Sequence, residues 1–270
     1  MPAVASKSIL VVSGLGNATG TGAAVARLFA QELGYRVALV SRPRQEVEEL
    51  RNEIRRQGSE AEVVSVEKYD YKEMLGVFER VKQLWPDGRV KAAVWNTAQW
   101  SNIPFLDITE HDISLSASTN IVAATAFSQA AVRAFTAEGS EEEKGGTLIM
   151  TGATSAWRGK EAFGAFAAGK HGLRALSQSI AREYGPHGVH VAFVGPGLID
   201  DLVQVIDGTI ITKRTLKLFG AREGKESNWL HDEKQRLSPE SIARAYLYLH
   251  LQSPDAWTLE MDLRPAKEKF

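Results

Sequence analysis

The chain has 270 residues, 44% hydrophobic and 24% charged, with a formal net charge of −1 and no cysteine. That length fits one globular domain with a sizeable core, or at most two small ones. The near-neutral charge offers no global field for nucleic acid or an anionic membrane, and the lack of cysteine excludes disulfides, thiolate metal sites and cysteine nucleophiles.

Ile9-Leu10-Val11-Val12 is a short apolar run ending in glycines, which predicts a strand buried on both faces. From Gly20 to Leu33 the apolar residues Val25, Leu28, Phe29 and Leu33 recur at helical spacing, and Gly34 supplies a stop. Val37 to Val40 reads as the second strand and Arg44 to Arg56 as a charged helix. Strands at Glu62–Val66 and Val90–Val94 enclose a helix at Tyr71–Leu84. A helix over Ile113–Phe135, a strand at Thr147–Met150, a helix over Phe163–Tyr184 and a strand at Val189–Val194 follow. Ala137–Gly146 is an acidic loop, and Asp201–Arg236 has no clean strand and is expected to be a helical insertion over the substrate side. Ile242–Leu251 predicts a further helix, and Trp257–Leu263 a last strand. Strands alternating with helices imply right-handed βαβ units, hence a parallel sheet between two helical layers. The expected fold class is α/β: one Rossmann-like, doubly wound, three-layer αβα domain spanning 1–270. No apolar run approaches the ~20 residues of a membrane span. Met1–Lys7 is too short and mixed for a secretory signal. A cytoplasmic location is therefore expected, without nucleic-acid or membrane partners.

Gly14-Leu15-Gly16-Asn17-Ala18-Thr19-Gly20-Thr21-Gly22 lies between the first strand and the first helix. Glycines there let the backbone turn tightly and approach a pyrophosphate, and the helix N-terminus supplies amide donors and a positive dipole end. The residue closing the second strand selects the cofactor. A carboxylate would bond a ribose 2′-hydroxyl, whereas a cation accepts a 2′-phosphate. Here the chain reads Ser41-Arg42, with Arg44 nearby, so NADP(H) is expected.

With these residues in hand, the chain resembles the short-chain dehydrogenase/reductase family over nearly its whole length. Gly16-x3-Gly20-x-Gly22 is similar to the family's glycine signature, although Gly14 to Gly20 carries two more residues than usual. The resemblance implies that Asp70, followed by Tyr71, lies at the adenine. It also puts Asn96, Thr97 and Ala98 at the cofactor; of the family's Asn-Asn-Ala-Gly, Trp95-Asn96-Thr97-Ala98 keeps only the second Asn. Asn120 matches the helix asparagine of the catalytic tetrad, and Pro196-Gly197 with Ile199 matches the segment that contacts the nicotinamide carboxamide. In the family a Tyr exchanges the proton, a Lys four residues later holds the ribose and lowers the Tyr pKa, and a Ser about thirteen residues earlier bonds the substrate oxygen. Lys170 is in place, but the tyrosine position holds Phe166 and the serine position Ala153. None of the tyrosines (35, 69, 71, 184, 246, 248) has a lysine four residues on, so no shifted register restores the motif.

Phe carries no titratable proton, and a positioned general acid contributes roughly 10²–10⁴-fold. Three readings stay open: an NADPH-dependent reductase of a carbonyl, enone or imine that manages without the Tyr acid; a binding or regulatory pseudoenzyme; and a non-redox catalyst reusing the pocket. Trp100, Ser155 and Trp157 follow strands four and five and are expected near a small, hydrophobic substrate. His171 should point off the active face, and His187 and His190 lack companions for a metal site. The helix Phe163–Tyr184 carries more apolar surface than one sheet face needs, and the resemblance implies a homodimer or homotetramer.

Overall fold

A computed structural model describes residues 7–137, 144–196 and 237–267. The insertion expected at 201–236, the middle of the acidic loop, Gly197 and Ile199 lie outside the described residues. Seven strands form one sheet: β1 (Ser8–Ser13), β2 (Arg36–Ser41), β3 (Ala61–Ser65), β4 (Arg89–Trp95), β5 (Gly146–Thr151), β6 (Val189–Pro196) and β7 (Glu260–Leu263). Their order is β3-β2-β1-β4-β5-β6-β7, and every neighbouring pair is parallel. The helices are α1 (Thr21–Leu33), α2 (Gln45–Arg56), α3 (Tyr71–Leu84), α4 (Glu110–Ala117), α5 (Ala124–Phe135), α6 (Gly164–Tyr184) and α7 (Pro239–His250).

The apolar runs of the strands divide by alternation. Ile9 and Val11 enter a core with Met74, Val77, Phe127 and Leu173, from α3, α5 and α6. Leu10 and Val12 enter the opposite core with Val25, Phe29, Leu50, Ile242 and Tyr246, from α1, α2 and α7. Full burial of each such side chain is worth about 1.5–3 kcal/mol, so a strand that is apolar at every position is stable only when covered on both faces. This is a three-layer Rossmann-like fold. Strand order reverses between β1 and β4, so the loops leaving their C-terminal ends part and open a crevice there.

Several boundaries differ from those the sequence suggests. The helix expected to start at Ile113 starts at Glu110, because Thr109 and Asp112 form a reciprocal capping box. It runs through a π-helical turn, Ser118–Ala123, before continuing as α5. Helix α7 begins at Pro239, three residues earlier than apolar spacing implies. Pro is well accommodated at the first helical position, and Ser238 Oγ accepts the Ser241 N–H at 3.0 Å. The last strand is shorter than expected, since Trp257 stacks on His190 at 5.0 Å instead of joining β7. The stop at Gly34 is realised as a left-handed cap, φ +64°, with its N–H on Ala30 O at 3.1 Å.

Candidate cofactor and active site

The glycine loop leaves β1 at Gly14, which has φ +77°. A Cβ there would overlap the backbone carbonyl of Asn96 at the end of β4. The Asn96 side chain donates to Gly14 O at 2.7 Å, tying the two walls of the crevice together. At Gly22 a Cβ would lie 2.8 Å from Gly14 O and 3.2 Å from Asn96 Nδ2. Gly16, in contrast, has nothing near its absent Cβ, although its φ is +57°. At Gly14 and Gly22 the loop is thus confined by the protein's own backbone, whereas at Gly16 it is open. The extra residues form a turn closed by Ala18 N–H on Leu15 O at 2.9 Å, with Ala18 itself at φ +60°. Asn17 Oδ1 accepts from Thr19 Oγ1 at 2.7 Å, and Arg27 ties Ala18 O (3.3 Å) to Glu53 (2.7 Å). Gly20 caps α1 and Thr21 is its first residue; Thr21 Oγ1 is buried with no hydrogen-bond partner.

At the end of β2, Ser41 is buried and spends its hydroxyl on Arg42 O at 2.7 Å. Arg42 and Arg44 are exposed. The half-buried Tyr69 stands close to both and to Thr97. Burial raises its hydroxyl pKa, while Thr97 and the two guanidinium charges act against that rise. Thr97 Oγ1 is buried without a hydrogen bond of normal geometry. Asp70 caps α3, accepting Glu73 N–H at 2.9 Å and pairing with Lys68 at 2.9 Å. These donors, the Glu73 amide first, hold its carboxyl below the usual range. Tyr71 donates to Gln129 at 2.7 Å, and Ala98 is exposed.

On the other side of the crevice, Asn120 sits in the π-helical turn and is fully buried. Its side chain clamps the loop after β4: Oδ1 accepts Gln99 N–H at 3.3 Å, and Nδ2 donates to Gln99 O at 3.1 Å and to Ser116 Oγ at 3.2 Å. Ser116 Oγ in turn donates to Ala165 O at 2.7 Å. Helix α6 reaches this clamp only because residue 169 is Gly; a Cβ would lie 2.8 Å from Ser116 Oγ and 2.9 Å from Asn120 Nδ2. Ser116, Gln99 and Gly169 escape the sequence reading. The Gly-Lys pair at 169–170 is the one local signal of close helix contact.

Lys170 follows directly. It is 2% exposed, donates to Thr151 O at 2.9 Å and stands 5.7 Å from the Phe166 ring centroid. A buried ammonium needs such acceptors, and a π face adds a modest attraction. Phe166 is fully buried with Ala153 and Phe163, and Trp100 packs on this cluster. The Trp100–Phe163 and Phe163–Phe166 centroids are 6.0 Å and 6.3 Å apart. Ser155 is buried in the 3₁₀ turn Thr154–Ala156. Pro196 is buried at the end of β6, paired with Leu263. Trp157 turns elsewhere: its ring lies over Gly195 where a Cβ would stand, 5.4 Å from Phe193 and under the Arg174 guanidinium at 5.2 Å. Its ring packs against β6, and the residue stays partly exposed. His171 bonds its own helix at Ala167 O, and no group of three or more metal-ligating residues occurs among the described residues.

A doubly wound parallel sheet with a glycine cradle at its switch point defines the nucleotide-binding α/β class. Residues 7–205 match the family described as short chain dehydrogenase, and the chain belongs to that family. It is 31% identical over 105 residues to the short chain dehydrogenase/reductase astE of Aspergillus oryzae, covering 39% of this chain and 37% of that protein. It is 28% identical to the short chain dehydrogenase/reductase dpchG of Colletotrichum higginsianum, covering 69% of this chain and 66% of that one. The chain thus spans less than two thirds of these curated relatives. Among solved structures it is similar to a short-chain dehydrogenase from Rhodopseudomonas palustris, at 25% identity and TM-score 0.73, covering 96% and 99% of the two chains. A metagenomic short-chain oxidoreductase in complex with NADP, at 23% identity, 96% and 98% coverage and TM-score 0.73, shares the fold. No helix among the described residues is long and apolar enough to cross a membrane.

Proposed function

We propose that the protein is an NADP(H)-dependent reductase whose substrate is a small, apolar conjugated acceptor, reduced without a tyrosine acid. The observation that carries the reading is the crevice itself. Gly14 and Gly22 let the loop after β1 close tightly against the backbone that follows β4, which shapes the turn at the switch point, and Arg42 follows β2 where an NAD-specific site would hold a carboxylate. The buried hydroxyl of Thr21, without a partner at the first turn of α1, fits a pyrophosphate or ribose oxygen. Arg42 and Arg44 would hold the 2′-phosphate, and Asp70 and Thr97 would border the adenosine. Lys170 would meet the nicotinamide ribose, with Pro196, Gly197 and Ile199 at the carboxamide. NADPH supplies hydride chemistry when bound; Lys170 orients, and the aromatic floor excludes water.

The same floor supports the proposed substrate class. Alanine stands at 153 and phenylalanine at 166, both buried, and neither donates a hydrogen bond. Reduction of an unconjugated ketone yields an alkoxide that needs a proton in place. An enone yields a delocalised enolate that solvent can protonate later, and an iminium needs no proton on the accepting atom. The apolar Ala153–Phe163–Phe166 cluster also favours a second reading, an NADP(H)-binding module without turnover. A second copy of the chain is proposed to pack beside Leu176, Ile180 and Tyr184. These side chains stay only partly covered, beside a groove of about 290 Å³ between α5 and α6. Sedimentation should return a dimer or tetramer, and a monomer would contradict this.

Calorimetric titration tests the reading. NADPH is expected to bind one per chain and NADH at least about tenfold more weakly, since a charge-assisted contact is worth about 1.5–3 kcal/mol. Absence of binding by either nucleotide would overturn it.

A further inference from the structure

A cavity of about 570 Å³ lies between α3 and α5, at the end of the sheet opposite the crevice. Ile9 and Val90, from the starts of β1 and β4, line it with Leu75, Phe78 and Val81 of α3 and Ala134 of α5. Ile9, Phe78 and Val81 are buried, whereas Leu75, Val90 and Ala134 are partly exposed. From Val90 to Asn96 the chain rises about 20 Å along the sheet, and none of the cavity's residues belongs to the crevice. Its size falls in the range of roughly 300–1,000 Å³ typical of small-molecule pockets. Small residues keep it open. Ala130 and Ala134 stand four apart on α5 and present only methyl groups. Gly88 lets the turn before β4 lie on Ile9, since a Cβ there would stand 2.6 Å from Ile9 Cδ1.

The rim is charged, and unevenly. Lys82, Arg89 and Arg133 stand on it against Glu79 and Asp87, and the Arg36 guanidinium holds Asp87 at 2.7 Å. Lys82 and Arg133 are exposed, and neither makes a hydrogen bond or ion pair among the described residues. They come from the last turns of α3 and α5, where a cation offsets the carbonyl end of a helix. That accounts for the two charges but not for the apolar hollow between them. An open apolar surface rimmed by polar groups marks a place where something binds, and the charge on the rim selects an anion.

We propose that this cavity is a second ligand site, separate from the cofactor crevice, and that it takes an amphiphilic carboxylate. Its alkyl chain lies on Ile9, Phe78 and Val81, and its carboxylate meets Lys82 and Arg133 at the rim. Apolar burial supplies most of the affinity, and the two cations supply the preference for a charged head over a neutral one.

Calorimetry on the full chain tests this, with decanoate as probe and decanamide as its uncharged counterpart. Decanoate is expected to bind, more tightly than decanamide, and equally well with and without NADPH. Lys82→Gln with Arg133→Gln should weaken decanoate about 2- to 30-fold, the loss of two exposed charge contacts, and leave decanamide unchanged. Arg133 also borders the groove between α5 and α6, so Lys82→Gln alone is measured as well. It should weaken decanoate by up to about fivefold without changing the sedimentation of the protein. Ala134→Phe, which fills the cavity, should weaken both probes at least about tenfold. Absence of decanoate binding, or decanamide bound as tightly as decanoate, overturns the proposal. Unchanged decanoate affinity in the two glutamine variants overturns it too, and leaves the cations serving the helix ends alone. Displacement of decanoate by NADPH would place the probe in the crevice and equally overturn it.

Discussion

The two walls of the crevice have been treated differently by this sequence. On the side of β1 and β2, the polar apparatus of a nucleotide site is present and spatially constrained. Gly14 and Gly22 are hemmed in by backbone, Asn96 bridges the strands, and two arginines end β2. On the side of β5 and α6, Lys170 and Asn120 are kept and buried, and Lys170 stands beside a cluster of alanine and phenylalanine. Binding and proton transfer are separable functions of one scaffold. Holding the nucleotide depends on backbone shape and fixed charge, whereas proton transfer depends on one or two hydroxyls that a single substitution each removes.

The largest effect should come from reversing that difference. Phe166→Tyr together with Ala153→Ser restores an acid and an oxygen donor beside Lys170. It is expected to raise reduction of an unconjugated ketone by about 10²–10⁴-fold. NADPH consumption with a panel of saturated ketones reads this out, and no gain despite intact NADPH binding would mean that more than these two groups separates the floor from a working one. Next comes Gly14→Ala, which places a methyl into the Asn96 carbonyl at a positive φ. A loss of NADPH affinity above about 100-fold is expected, because the turn must move away from the pyrophosphate. Gly16→Ala, where no atom waits, should be milder, by strain alone of about 1 kcal/mol. Equal effects at the two glycines would undo the assignment of the confined pair. Arg42→Ala should weaken NADPH about 10- to 100-fold and NADH less than about twofold. Equal weakening of both would show Arg42 to be a surface residue.

The smallest effect lies outside both walls. His250, at the end of α7, has Nδ1 2.9 Å from Thr147 Oγ1 and Nε2 2.9 Å from Tyr35 Oη. Burial first, then the charges of His190 and Lys91, push its pKa down to about 4. Its ordinary value is about 6.5, so the unfolded chain takes up the proton first as pH falls. The neutral network contributes its full stability above about 6.5. That contribution is lost as pH falls towards 4, by at most about 3 kcal/mol, and it levels off below. Urea unfolding at stepped pH measures the slope. His250→Gln should flatten most of it, leaving the weaker same-signed contribution of the buried His190.

Much of the fold was legible because the central strands are largely apolar and because α1 stops at a glycine, Gly34. What was not legible depends on contacts between distant segments. Only the approach of Asn96 shows that Gly14 and Gly22 are the confined pair. The packing of the Trp157 ring on β6 depends likewise on the missing Cβ of Gly195. Lys170 and Asn120 were singled out by the family resemblance; the Ser116–Asn120–Gln99 clamp was not, because it depends on a π-helical turn and on Gly169. The Tyr246 hydroxyl, 2.7 Å from Thr151 Oγ1, lies in the other core from Phe166.

The most direct measurement is NADPH oxidation followed by absorbance with a matched pair, 4-phenylbut-3-en-2-one and its saturated analogue 4-phenylbutan-2-one, under saturating cofactor. An intact cofactor wall facing an acid-free floor predicts turnover of the enone and at least about 100-fold slower reduction of the saturated ketone. Equal reduction of both would show that the floor supplies a proton after all, and would contradict the account at its centre.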